Sequence, residues 1–320
     1  METHGKILIA DHHGLVGDAL RRQLAAAGFK SVIDERGLPP LTDAARVDEF
    51  FARVRPQYVF LIGGRAGGIA ANQKFPAELM LDNLLVVCHV IESARLHGVH
   101  KLLYLGSSCA YPKLCPQPMR VDALMTGKLE PTNEAYATAK LAGLGLCQAY
   151  RQQYRLNFIS AIPANIYGPG DDFSEADSHV VGALIRRFHE ARLLGAPEVV
   201  IWGTGTPRRE FMYAADLADA CVFLMDRFDG GEIINLGVGQ DWSIRELAET
   251  IAQVVGYRGT LVFDTSKPDG MPAKLLDSNR LRELGWQART TMREGLRATY
   301  QWYLQQLASV AGGGDARAVL

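Results

Sequence analysis

Apolar runs and amphipathic stretches alternate through the first half of the chain. The runs Lys6–Ala10, Val32–Asp34, Tyr58–Ile62, Lys101–Leu105 and Phe158–Ile162 are apolar at consecutive positions rather than at every second one. Between them, Asp18–Ala27, Asp48–Val54, Asn83–His97 and Tyr136–Tyr154 carry helix-like patterns. A strand covered on both faces has no polar side to show, and strands that each lead into a helix build a parallel sheet. The pattern therefore predicts an α/β fold with a doubly wound parallel sheet of the Rossmann type.

The second half is less regular. The turn-rich PANIYGPG at Pro163–Gly170 marks a change of character, and Val199–Trp202, Ile233–Leu236 and Thr260–Phe263 read as further strands. Ser243 and Glu246 have the spacing of a capping box, opening a helix that runs to Val255 and stops at Gly256. Further helices are expected near Ser278 and Met292, and together these elements predict a smaller mixed α/β substrate lobe. The expected division gives 1–167 to a dinucleotide-binding domain, with a segment near 212–240 returning to it. Residues 168–211 and 241–310 fall mainly to the substrate lobe, and 311–320 to a flexible tail. There is no internal repeat.

Composition narrows the function classes. The 320 residues are 48% apolar with a net charge of −1, enough for a large core and without the basic excess of a nucleic-acid binder. No apolar run approaches 20 residues, and no signal segment opens the chain, so no membrane partner is expected. The five cysteines (Cys88, Cys109, Cys115, Cys147 and Cys221) are scattered without a C-x-x-C pair. That argues against a disulfide framework and against a zinc site, and for a reducing cytoplasmic location. No metal is expected.

Two local patterns carry chemistry. After the first strand, Asp11-His12-His13-Gly14-Leu15-Val16-Gly17 has the spacing of G-x-x-G-x-x-G with Asp11 in place of the first glycine. Such a turn lets backbone amides and a helix N-terminus approach a pyrophosphate. Aspartate tolerates a left-handed backbone better than most residues, although its charge disfavours phosphate. At the end of the second strand, Asp34 argues for the ribose 2′-hydroxyl of NAD, whereas Arg36, with His13, argues for the 2′-phosphate of NADP. Both remain open at this point. Further on, Tyr136 and Lys140 stand four apart on one helix face, where the ammonium is expected to bring the phenol pKa toward neutrality. Ser107 follows the fourth strand and would join them at the carboxyl edge of the sheet, a place for proton transfer coupled to hydride transfer.

This combination resembles the extended short-chain dehydrogenase/reductase superfamily, with NIYGP at Asn165–Pro169 and R-x-F at Arg209–Phe211 extending the likeness. Longer blocks are similar to the GDP-L-fucose synthase family. They are GSSCAYPK at Gly106–Lys113, LEPTNEAYATAK at Leu129–Lys140, SHVVGALIRRFHEA at Ser178–Ala191, VVIWGTGTPRREF at Val199–Phe211 and FDTSKPDGMPAKLLD at Phe263–Asp277. The family's enzymes are 3,5-epimerases and 4-reductases of GDP-4-keto-6-deoxy-D-mannose. The resemblance implies Ser107, Tyr136 and Lys140 as catalytic, with Cys109 and His179 as a proton-transfer pair. It implies a cofactor site formed by Asp11, His13–Gly17, Asp34, Arg36, Leu105–Ser108, Tyr136, Lys140, Pro163, Asn165, Ile166 and His179. Arg187, Trp202, Arg209 and Asp269 are implied for the GDP-sugar. NADPH is the expected cofactor, with NAD(H) kept open by Asp34, and a homodimer is expected through the helices around Asn83–His97 and Tyr136–Tyr154.

A thiol at position 109 has a chemical rationale in this setting. A 4-keto group acidifies the hydrogens on C3 and C5, and inverting a centre takes a proton carrier on each face of the ring. Cysteine and histidine, with ordinary pKa values of about 8.5 and 6.5, suit that work. Which is base and which is acid is not fixed by the sequence. Two rival readings remain: a sibling enzyme, resembling a GDP-colitose synthase or a 3,5-epimerase without net reduction, and a nucleotide-binding regulator whose catalysis has decayed.

Overall fold

The computed structural model describes residues 1–10, 14–33, 37–175, 178–267 and 269–312. The chain opens with β1 (Ile7–Ala10), α1 (Leu15–Ala26), α2 (Ala44–Val54), β2 (Tyr58–Leu61), α3 (Ile69–Lys74) and α4 (Pro76–Leu96). There follow β3 (Lys101–Leu105), α5 (Glu134–Tyr154), β4 (Phe158–Pro163), β5 (Asn165–Tyr167) and α6 (Val180–Leu194). Next come β6 (Glu198–Trp202), β7 (Arg208–Tyr213), α7 (Ala214–Arg227), β8 (Ile234–Leu236), β9 (Asp241–Ser243) and α8 (Ile244–Val255). The last are β10 (Thr260–Asp264), β11 (Ala273–Lys274), α9 (Asn279–Glu283) and α10 (Met292–Gly312).

Strands β1, β2, β3, β4 and β8 form one sheet in that order. All its ladders are parallel, in register Ile7 to Tyr58, Tyr58 to Lys101, Leu102 to Phe158 and Ala161 to Ile234. Every residue of these strands is buried. That explains their unbroken apolar runs: helices cover the sheet, so no strand face needs polar side chains. α1 packs on α7, and α4 packs on α2 and α5. Beyond β1 the sheet continues only as a single bridge from Ile7 to Val32. The expected strand Val32–Asp34 is thus one bridged residue within the described part.

Helices α1, α2 and α4 begin earlier than their apolar spacing suggests, because first turns are set by caps rather than by the buried stripe. The Asp43 carboxylate accepts the Arg46 N–H at 3.2 Å and starts α2. Pro76 opens α4, where a missing N–H loses nothing. The capping box at Ser243 forms as read: Ser243 Oγ accepts the Glu246 N–H at 3.1 Å, and Glu246 accepts the Ser243 N–H at 2.7 Å.

A second core gathers Tyr167, Val181, Ile185 and Phe188 with Leu247, Ile251, Leu296 and Tyr300. Around it lie the parallel pair β6–β10 and a small sheet in which β7 is flanked by β5 and β11 and also pairs antiparallel with β9. The two cores meet within β7, where Phe211 belongs to the second and Met212 to the first. Strand β6 turns Val199 and Ile201 inward and leaves Val200 and Trp202 outward. Its outer face is therefore open beside the seam between the cores.

Candidate active site

Because β1, β3 and β4 run parallel, the turns that follow them share one edge of the sheet. Gly14 caps α1 with φ at 143°, a conformation open to glycine, and a Cβ there would have nothing within 4 Å. Leu15, Val16 and Gly17 supply the first-turn N–H groups that favour a phosphate. Asp18, the acidic residue of the helix's first turn, is paired with Arg21 at 2.8 Å. This arrangement fits the pyrophosphate of a dinucleotide. Asp11, His13, Asp34 and Arg36 lie outside the described residues.

Leu105 ends β3, and the Gly106 N–H donates to the Ala161 carbonyl at 2.8 Å, keeping the following turn against β4. Ser108 is buried and begins a short 3-10 turn, Ser108–Ala110. Pro163 closes β4, while Asn165 and Ile166 open β5, with Asn165 Nδ2 donating to the Glu210 carbonyl at 2.9 Å.

Ser107 is the pivot of the next cluster. Its Oγ accepts the Cys109 N–H at 3.2 Å, and its hydroxyl is near enough to the Tyr136 phenol to favour the phenolate. The Cys109 sulfur receives Asn133 Nδ2 at 3.2 Å and Lys274 Nζ at 3.3 Å. Burial pushes this thiol up, but the Lys274 charge and hydrogen bonds from Ser107, Lys274 and Asn133 outweigh it, leaving the pKa below that of an ordinary thiol. Lys274 itself is buried. Sequence reasoning missed both Lys274 and Asn133, although each lies in a block matching the family.

Tyr136 departs from expectation. Burial, reinforced by the Cys109 charge, pushes the phenol well above its ordinary range, and the Ser107 hydroxyl only partly opposes this. Lys140 does not bring it toward neutrality. Its Nζ lies 5.8 Å from the centre of the Tyr136 ring and donates to the Leu105 carbonyl at 3.3 Å. Desolvation is the largest influence on the phenol, and Lys140 is not among the groups that offset it.

On the side of the second core, His179 caps α6. Its side chain is exposed yet lies in a recess: surrounding protein desolvates the imidazolium and holds its pKa below the ordinary value, with the Asp172 carboxylate opposing. Among the described residues it makes no hydrogen bond to the Ser107–Cys109 cluster. Arg209, paired with Lys274 in the β7–β11 ladder, is close enough to Cys109 to interact with its charge. Burial lowers the Arg209 pKa, and Cys109, Asp269 and Glu130 counter it. Asp269 braces the turn after Trp202, accepting the Thr204 N–H at 2.7 Å and Thr204 Oγ1 at 2.9 Å. Trp202 is 64% exposed, with Lys267 Nζ 5.5 Å from its ring centre. Arg187 donates to the Val200 carbonyl, two residues before Trp202. The four residues implied for the GDP-sugar thus gather around the end of β6. Among the described residues no His, Cys, Asp or Glu group could hold a metal.

Comparison with known proteins fits this geometry. Residues 7–237 match the NAD dependent epimerase/dehydratase family. The chain is 52% identical over 309 residues to GDP-L-fucose synthase 1 of Arabidopsis thaliana, covering 96% of each. Among solved structures it is similar to a GDP-6-OMe-4-keto-L-xylo-heptose reductase from C. jejuni, with TM-score 0.91, 34% identity, and 96% and 99% of the two chains covered. It is also similar to a GDP-L-fucose synthetase from Naegleria fowleri bound to NADP, with TM-score 0.89, 28% identity and coverage of 97% and 95%.

Proposed function

The chain belongs to the NAD dependent epimerase/dehydratase family, and from that premise we propose that it epimerises GDP-4-keto-6-deoxy-D-mannose at C3 and C5 and reduces it at C4 to GDP-L-fucose. The observation that carries this reading is the Cys109 thiol, held by Lys274 and Asn133 beside the Ser107–Tyr136 pair. Reduction needs a proton donor for an alkoxide but no activated thiol. Inversion beside a ketone needs a base.

Arg187 and Arg209 bind the diphosphate, for which a guanidinium is the best-matched cation, while Trp202 flanks the base and Asp269 fixes the loop between them. The keto oxygen faces the Ser107 and Tyr136 hydroxyls, which stabilise the enolate as it forms. Cys109, with a cation at its sulfur, starts as the base. His179 serves the other face, and its exposed ring renews its proton from solvent. The approaching enolate favours the imidazolium there. When bound, the reduced nicotinamide supplies hydride to C4, and Tyr136 protonates the oxygen. The phenol is protonated at neutral pH, as a donor in the reductive direction must be. Lys140 holds the ribose beside it.

In the same reading the first core with 212–240 is the dinucleotide domain, and the second is the substrate lobe. NADPH is the cofactor, a choice supported by the NADP-bound relative. A reducing cytoplasm protects the thiol, and two chains pair through α4 and α5, whose outer faces expose Leu81, Leu96 and Tyr154. The test is an NMR assay of the protein with GDP-4-keto-6-deoxy-D-mannose and NADPH or NADH. GDP-L-fucose formed with stoichiometric NADPH oxidation is the expected outcome. A reduced product that keeps its C3 and C5 configurations would reject it. That outcome would favour a plain reductase, the reading to which the heptose reductase likeness points.

A further inference from the structure

Lys274 acts on Cys109 from a strand of two residues, which is too short to fix its own position. β11 pairs with β7 only at Ala273–Arg208 and Lys274–Arg209, and the chain then leaves that ladder. Leu276 instead bridges to Met119, with the Met119 N–H on the Leu275 carbonyl at 2.7 Å and the Asp277 N–H on the Met119 carbonyl at 2.9 Å. The next residue of β7 takes over where the ladder stops. Glu210 is 1% exposed, and its carboxylate accepts three main-chain N–H groups: Val238 at 2.6 Å, Gly239 at 2.7 Å and Leu276 at 2.9 Å. Successive strand residues face opposite sides, so Arg209 looks toward Cys109 and Glu210 looks away. The approach is tight: a Cβ at Gly237 would lie 2.5 Å from Glu210 Oε1.

The Cys109 side has a matching anchor. Tyr111, two residues on and fully buried, donates to Asn235 Oδ1 at 2.7 Å. Asn235 Nδ2 donates in turn to the Met119 and Asp277 carbonyls at 3.0 and 3.2 Å. One buried polar frame therefore ties the turn bearing the thiol to the segment bearing the ammonium.

We propose that Glu210 is a positioning residue for proton transfer: by gripping the Leu276 N–H it sets Lys274 against the Cys109 sulfur and so sets the fraction of thiolate. This deepens the epimerase reading and rests on it for its catalytic meaning. The groups bearing on the thiol are Lys274, Arg209 and Tyr136, with the neutral donors Ser107 and Asn133. Glu210 reaches it only through Lys274. A carboxylate is required because three N–H groups converge on it; an amide would turn its NH2 toward one of them.

The test is the pH dependence of iodoacetamide alkylation of Cys109, followed on its own peptide by mass spectrometry because Cys88 is exposed and Cys115, like Cys109, partly so. In folded Glu210→Gln the alkylation midpoint should rise by about one pH unit, a tenfold loss of thiolate below the midpoint. Lys274→Met should raise it at least as much, and the double variant no further. Glu210→Asp, which keeps the charge at shorter reach, should lie between Glu210→Gln and the unsubstituted protein, and it carries the test if Glu210→Gln does not fold. Unchanged midpoints in the folded Glu210 variants, or a shift that adds to that of Lys274→Met, would overturn the proposal. Failure of the activity reading shows separately, as unsubstituted protein that incorporates no deuterium from solvent into the keto-sugar.

Discussion

In the proposed mechanism the two sides of the candidate site are built differently. The reductive side comes from neighbouring stretches of chain: Ser107 after β3, and Tyr136 and Lys140 one helical turn apart on α5. Lys140 is buried, Ser107 and Tyr136 are partly buried, and desolvation pushes the phenol pKa up. The epimerising side is assembled across the fold, with Asn133 24 residues and Lys274 165 residues from Cys109. There a cation opposes burial and favours the charged thiolate. Similar desolvation therefore yields a retained proton on one side and a base on the other. The difference lies in where each ammonium is spent: Lys274 Nζ donates to the Cys109 sulfur at 3.3 Å, whereas Lys140 Nζ donates to the Leu105 carbonyl at 3.3 Å.

If the two sides are separable, substitutions should split the activities. The largest effect belongs to Tyr136→Phe, which should cut NADPH oxidation by roughly 10²–10⁴ and slow C3 and C5 exchange by clearly less, because Ser107 still donates to the enolate oxygen. Loss of both together, measured by absorbance and by NMR in deuterated water, would merge the sides. Next, Lys274→Met should slow exchange at pH 7 by about tenfold. Exchange depends on thiolate, so its rate rises with pH through the thiol pKa; losing the cation moves that rise to higher pH. A pH–rate profile without this displacement would remove Lys274 from the account, whereas NADPH affinity should not change.

A third effect falls on stability and leaves the two activities alone. Asp171 is 8% exposed, with Oδ2 lacking a hydrogen-bond partner among the described residues, and burial pushes its pKa up to about 7. An unfolded aspartate loses its proton near about 3.9. Between those values the folded chain binds the extra proton, so stability falls as pH rises and levels off above about pH 7. Asp171→Asn should flatten this trend and be more stable at pH 8, by on the order of 2 kcal/mol. Parallel thermal melts at pH 5 and pH 8 check it; identical slopes for both proteins would contradict it.

The same contrast decides what was legible in the sequence. A strand buried on both faces announces itself, so the sheet could be read directly, whereas Tyr–Lys spacing fixes a shared helix face and took the family resemblance to suggest a role. The capping box at Ser243 was equally local. β11 has two residues, and β7 opens on Arg208, Arg209 and Glu210, so neither shows an apolar period. Lys274 stood in a recognised block without any pattern to connect it to a thiol across the fold. The expected effect of Lys140 on Tyr136 failed for a related reason: four-residue spacing fixes a shared helix face, but not where a long side chain sends its charge.

The most direct measurement compares the unsubstituted protein with Cys109→Ser in deuterated water, using GDP-4-keto-6-deoxy-D-mannose and following C3 and C5 by NMR. The account predicts deuterium at both carbons for the former and none for Cys109→Ser, with NADPH bound equally tightly by both. Exchange at an undiminished rate in Cys109→Ser would contradict it.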